Sequence, residues 1–161
     1  MKGCTMNAET QRGMSAQSGN EDEEKDWMVE GTSRTPSGLT NRIIGAAIEV
    51  QDKLGVGLLE SAYEGCLYHE LLLRKIPVER QITLPVEYKG IKLDQGYRVD
   101  LLVANEVVIE VKAFEELLPR HSMQLITYLR LGGWQVGLLI NFHSFPLKQG
   151  LRRIVNNYRD Q

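Results

Sequence analysis

The chain has 161 residues, enough for one domain with a real core, and its composition of 42% hydrophobic and 25% charged residues is that of an ordinary globular protein. A formal net charge of −2 excludes a strongly basic or strongly acidic address. No apolar run is long enough to cross a bilayer, and the opening "MKGCTMNAETQRGMSAQSGN" has none of the apolar character of a secretory signal.

Neither Leu nor Ile occurs before Leu39. Residues 1–38 are polar, with an acidic run "EDEEKD", and hold seven acids against four bases. Such a stretch buries too little apolar surface to offset its ordering entropy, so a disordered tail is expected there. The remainder, 39–161, holds fifteen bases against fourteen acids and is near neutral. The two cysteines are Cys4 in the tail and Cys66 in a helical pattern; free thiols in a reducing cytoplasm are expected.

From Leu39 the apolar period is helical: Ile43, Ala47, Val50 and Leu54 share a face, with Thr40 as N-cap and Gly55 as stop. A second helix is expected from about Leu58 to Lys75. "PVERQITLPVEYKG" is rich in strand formers, but Pro85 marks an edge or bulged strand, and Lys89-Gly90 a turn. "IKLDQGYRVDLLVA" and "VVIEVKA" follow as strands. Pro119 opens a helix that stops at Gly132-Gly133. "WQVGLLINF" is a strand buried on both faces, and "LKQGLRRIVNNY" has the spacing of a short closing helix. The order is α-α-β-β-β-α-β-α. It predicts an antiparallel three-strand meander, a fourth strand returning parallel to "VVIEVKA", and helices on both faces of a mixed four-stranded sheet.

Three charges interrupt the best core strands: Asp100, Glu110 and Lys112. Burying charge is costly unless it is paired or holds a metal. Glu110 and Lys112 are two apart on a strand and leave by the same face. Asp100 joins them only under one register. A two-residue loop puts it opposite Val111; a three-residue loop, Ala104-Asn105-Glu106, pairs Val103 with Val107 and puts it opposite Glu110. A bulge would do the same. Two facing carboxylates suit Mg²⁺ or Mn²⁺, with Lys112 beside them to activate water and stabilise a phosphorane-like transition state. An isolated E-x-K is a surface ion pair roughly ten times to one; the added acid and the apolar setting reduce those odds.

His121, Gln124 and Tyr128 form one stripe of the helix after Lys112. Glu60 and Tyr63 share a face at the start of the second helix, where Glu60 is a candidate third carboxylate; Glu49 and Glu64 are weaker candidates and are expected to be solvated. Arg98, two before Asp100, is a candidate phosphate contact among otherwise scattered basic residues.

"GLLESAY" resembles the G-x-x-E-x-x-Y signature of the bacterial GxxExxY protein family. The likeness continues through "VERQITLPVEYKG", "YRVDLLV", "VIEVKA", "QLITYL" and "GLLINF", from about Leu39 to Tyr158. That family looks like a branch of the PD-(D/E)XK nucleases, with a restriction-endonuclease-like αβββαβ core. The resemblance implies that Asp100, Glu110 and Lys112 stand at the D…E-x-K positions and that Gln124 and Tyr128 fit the Q-x-x-x-Y motif of RecB-like members. The expected activity is Mg²⁺-dependent cleavage of DNA or RNA. Asp100, Glu110 and Glu60 are the expected metal ligands, Lys112, Gln124 and Tyr128 the remaining catalytic set, and Tyr63, Arg98 and His121 the substrate contacts. The rivals are an inactive module on the same fold that binds nucleic acid or a protein partner, and a two-carboxylate glycoside hydrolase.

Overall fold

The computed structural model describes residues 37–156. The expected polar tail lies outside the described residues, except for Ser37 and Gly38, which open the first helix. Helix α1 spans Ser37–Leu54. It starts before Thr40, which is buried within it with its hydroxyl unpartnered, so Thr40 is not the N-cap. Ile43, Ala46, Ala47 and Val50 form its buried stripe. Gly55, at φ 71°, ends it by returning its N–H to the Gln51 carbonyl at 2.7 Å. Helix α2, Glu60–Leu73, buries Tyr63, Leu67 and Leu71 at a spacing of four.

Strands β1, Val78–Tyr88, and β2, Ile91–Val103, form a long hairpin. Lys89 and Gly90 turn it with φ of 45° and 85°, the positive pair of a tight hairpin. The register shifts between Leu84 and Val86, at Pro85, which has no N–H for a rung. Gly96 lies against this irregularity, where any Cβ would collide with the Leu84 carbonyl. Strand β3, Val107–Lys112, is buried throughout. Helix α3, Pro119–Gly132, begins at Pro119 and ends at Gly133 with φ 71°. Strand β4, Val136–Asn141, runs parallel to β3, as the helical return requires.

The closing segment departs from expectation. Leu147–Gly150 is a single 3-10 turn, and Leu151–Val155 is a fifth strand, β5, antiparallel to β4. Among the described residues the sheet therefore has five strands, in the order β1-β2-β3-β4-β5, rather than four. Apolar residues at 147, 151, 154 and 155 mimic a helical stripe. In the fold, Leu151 and Val155 pack with one core while Ile154 packs with the other, which is a strand's two-sided burial. The outer rungs of β4 supply the hydrogen bonds that decide it.

Helices α1 and α2 cover one face of the sheet, packing Ile43, Ala47, Tyr63, Leu67 and Leu71 on Val107, Ile109, Val111, Leu138 and Ile140. Helix α3 covers the other, packing Leu125, Tyr128 and Leu129 on Leu84, Leu102, Val108 and Leu139.

Candidate active site

Strands β2 and β3 pair as Val103↔Val107, Leu102↔Val108 and Leu101↔Ile109. The link is the three-residue one, with Ala104 and Asn105 at φ 52° and 55°. Continued by one rung, this register sets Asp100 opposite Glu110. The rung itself is absent. Instead Asp100 Oδ2 accepts the Val111 N–H at 2.8 Å.

On β3, Val107, Ile109 and Val111 belong to the core under α1 and α2, while Val108 belongs to the core under α3. By alternation Glu110 and Lys112 leave toward α3. Lys112 Nζ donates to Glu110 Oε1 at 2.7 Å, and the two residues are only 8% and 2% exposed. Glu110 Oε2 is buried with no hydrogen-bond partner. Burial, and next the nearby Asp100 charge, push the Glu110 carboxyl up to about 7, against the pull of Lys112. Burial also pushes Asp100 up to about 6, with the Val111 N–H working the other way. The three charges picked out in the strands therefore converge and feel one another.

The α3 stripe reaches the same place. Tyr128 is buried, and its hydroxyl accepts Gln124 Nε2 at 2.6 Å. Burial, then the Glu110 charge, raise its phenol to about 12, so it stays protonated. Tyr97 lies against it, ring centres 5.6 Å apart. His121 is buried too. Its Nδ1 accepts the Leu118 N–H at 3.1 Å, capping the start of α3, and its ring stacks on Phe114. Burial and the Lys112 charge lower its pKa, favouring the neutral imidazole.

Glu60 opens α2 and accepts the Ala113 N–H at 3.4 Å, one residue past Lys112. Its charge helps raise both Asp100 and Glu110. It also lines a cleft of about 480 Å³ with Leu58, Leu59, Ser61, Ala113 and Phe114. Tyr63 lies elsewhere. It is fully buried, stacked on Phe142 with ring centres 4.5 Å apart, and its hydroxyl donates to the Gly55 carbonyl at 2.7 Å. The structure thus places it in the core with no exposed surface, tying the α1–α2 link to the start of α2. Arg98 is exposed on β2, opposite Thr83. Glu64, expected to be solvated, is buried instead: it accepts Arg80 Nε at 3.1 Å and Gln81 Nε2 at 2.7 Å, and its charge raises Asp100. Its spacing of four from Glu60 on α2 was the one sequence signal that it shares the site's face.

The model of the PD-(D/E)XK nuclease superfamily matches residues 37–154, from α1 into β5. The chain belongs to that superfamily. Members of this superfamily typically use divalent metals, and the donor chemistry here fits such an ion: two carboxylates on neighbouring strands, one carrying a buried oxygen with no partner. Among the described residues, no three His, Cys, Asp or Glu side chains converge into a ready-made metal cage, so water would complete the shell. None of the curated proteins matches the chain. A solved structure titled "Crystal structure of SSO0001" is similar to this chain with a TM-score of 0.40 and 18% identity, over 75% of this chain and 79% of that one. A likeness that distant carries no argument about function. Among the described residues, no helix is long and apolar enough to cross a membrane.

Proposed function

We propose that this member of the PD-(D/E)XK superfamily is a Mg²⁺- or Mn²⁺-dependent nuclease hydrolysing phosphodiester bonds of DNA or RNA. We also place it in the GxxExxY branch and in the cytoplasm. The observation that carries the activity is the partnerless, buried Glu110 Oε2 beside Asp100 and Lys112. A desolvated carboxylate with an unsatisfied oxygen is costly as it stands and is relieved by a cation.

Asp100 and Glu110 would hold the ion, with Glu60 at the rim. When bound, the ion supplies Lewis-acid polarisation of a phosphoryl oxygen. Lys112 Nζ, fixed by Glu110 Oε1, orients the attacking water and offsets charge that builds on the phosphate. Gln124 fixes the Tyr128 hydroxyl beside the acids, where it contacts substrate. Neutral His121 sets the start of α3 over the site, and Arg98 meets the nucleic-acid backbone farther out. The near-neutral domain leaves the ion and these few residues, rather than a broad basic surface, to attract the phosphate.

The test is cleavage of single-stranded, duplex and branched DNA and RNA with Mg²⁺. Cleavage that disappears in Asp100→Ala and in Lys112→Ala supports the reading. Cleavage that survives those changes, or its absence from the unaltered chain, overturns it. One observation favours a second reading, a binding module on the same fold: Lys112 already neutralises part of the Glu110 charge within the chain. Salt-dependent nucleic-acid binding without metal-dependent cleavage selects that alternative.

A further inference from the structure

The β1–β2 ladder carries an irregularity that the sequence pattern does not announce. Arg80 pairs with Leu101 and Ile82 with Val99, but the rung between them, Gln81 opposite Asp100, is missing. Gln81 has φ 55°, the left-handed region that a non-glycine residue rarely adopts without support. The two strands stay in register across the gap, yet both change faces there. On β2, Val99 packs under α3 whereas Leu101 and Val103 pack under α1 and α2. On β1, Ile82 and Leu84 pack under α3 whereas Val78 packs with the other core. In an unbroken strand each of those sets would share one face. Gln81 and Asp100 are thus a matched pair of inserted residues, one on each strand.

One side chain grips this point from outside the sheet. Glu64, on α2 and 6% exposed, accepts Gln81 Nε2 at 2.7 Å and Arg80 Nε at 3.1 Å. Arg80 is in turn held over the Tyr68 ring, 5.2 Å from its centre. We infer that Glu64 is a positioning residue: by clamping Arg80 and Gln81 it holds Gln81 left-handed, and so turns Asp100 toward the Val111 N–H and Glu110. The inference rests on the preceding reading only in treating Asp100 as a metal ligand. It gives a buried carboxylate outside the D…E-x-K set a defined task. A charge-assisted clamp on two adjacent residues fixes backbone as well as side chain, which neutral packing would not do. Glu64 also adds negative potential at Asp100, which sharpens the site's demand for a cation.

The experiment follows two quantities in Glu64→Ala, Glu64→Gln and Gln81→Val. The first is amide hydrogen exchange, reading Val111, whose N–H the Asp100 carboxylate accepts, against Val108 and Leu138 in the sheet centre. The second is Mn²⁺ affinity by calorimetry. Loss of the clamp in Glu64→Ala, or of the left-handed residue in Gln81→Val, is expected to speed Val111 exchange about tenfold or more with the central amides unchanged. Mn²⁺ affinity should weaken by a similar factor. Glu64→Gln keeps an oxygen for Gln81 but loses the charge and turns an NH₂ toward Arg80, so both effects should fall between those of the unaltered chain and Glu64→Ala. Val111 exchange that is unchanged in Glu64→Ala overturns the inference. So does equal acceleration at all three amides, which marks general destabilisation. If the unaltered chain binds no Mn²⁺, the metal reading of the site fails, and the Val111 amide still decides the positioning role.

Discussion

The Asp100 carboxylate accepts the Val111 N–H at 2.8 Å, taking the place of the next rung between β2 and β3. One bond therefore ends the ladder, holds an acid beside Glu110 and satisfies an amide that would otherwise be left without a rung.

Asp100→Asn keeps an oxygen for the Val111 N–H and removes one of two repelling charges. In metal-free buffer at pH 8 the variant should be more stable than the unaltered chain by about 1–3 kcal/mol, the scale of a carboxyl raised to about 6. Its cleavage rate should fall by roughly 10²–10³. Urea denaturation and a cleavage assay measure the two. A variant less stable at pH 8 would show that the acid is stabilised, not strained, where it sits.

Asp100 and Glu110 both have folded pKa values above those of an unfolded chain, at about 6 and about 7. The folded state therefore binds protons more tightly, and without metal its stability falls as the pH rises from about 4 through about 7, then levels. The drop between pH 5 and pH 8 should be about 2–4 kcal/mol. Saturating Mg²⁺ should oppose it, adding about 2.7 kcal/mol at a hundredfold excess over Kd. Denaturation curves at the two pH values, with and without Mg²⁺, test this; metal-free stability that rises with pH contradicts it.

Lys112→Met removes the sole hydrogen-bond donor to Glu110 Oε1 among the described residues. The carboxylate is left buried with neither oxygen satisfied, so its pKa should climb further and stability at pH 8 should drop by about 3–5 kcal/mol. Much of that loss should vanish at pH 5, where Glu110 is protonated. A loss equal at both pH values would place the cost in packing instead.

Tyr63→Phe separates architecture from chemistry within "GLLESAY". It deletes the bond to the Gly55 carbonyl while keeping the ring on Phe142. Stability should fall by about 1 kcal/mol, and cleavage by the remaining folded protein should be unchanged. A large rate loss without a stability loss would return Tyr63 to the substrate surface.

Much of this site was readable from residues alone because its signals are local. Gly55, the Lys89-Gly90 pair and Gly133 take the positive φ values that their turn and stop positions imply. Counting residues laid out the alternatives for the β2–β3 link, and the pairing of Val103 with Val107 selects the three-residue one, Ala104 to Glu106, that sets Asp100 against Glu110. Glu64 was less legible: an acid on a helix looks solvated until the strand carrying Arg80 and Gln81 is packed against it. Tyr63 misled in the opposite direction, because a tyrosine next to a candidate ligand gives no sign of which way its ring turns. "LRRIV" read as helix, since its apolar spacing satisfies a helix and a doubly buried strand alike.

By itself, the sequence determined the order of the elements as far as β4, the parallel return of that strand and the identity of the charges embedded in β2 and β3, because period, turn chemistry and the cost of buried charge act over a few residues. Only the tertiary structure decided that Asp100 bonds across to Val111, that Gln81 flips both strands, that Glu64 grips that flip and that β5 closes the sheet edge. Each of those depends on hydrogen-bond partners distant in the chain, and a backbone or carboxylate group takes whichever partner the packed fold brings within reach.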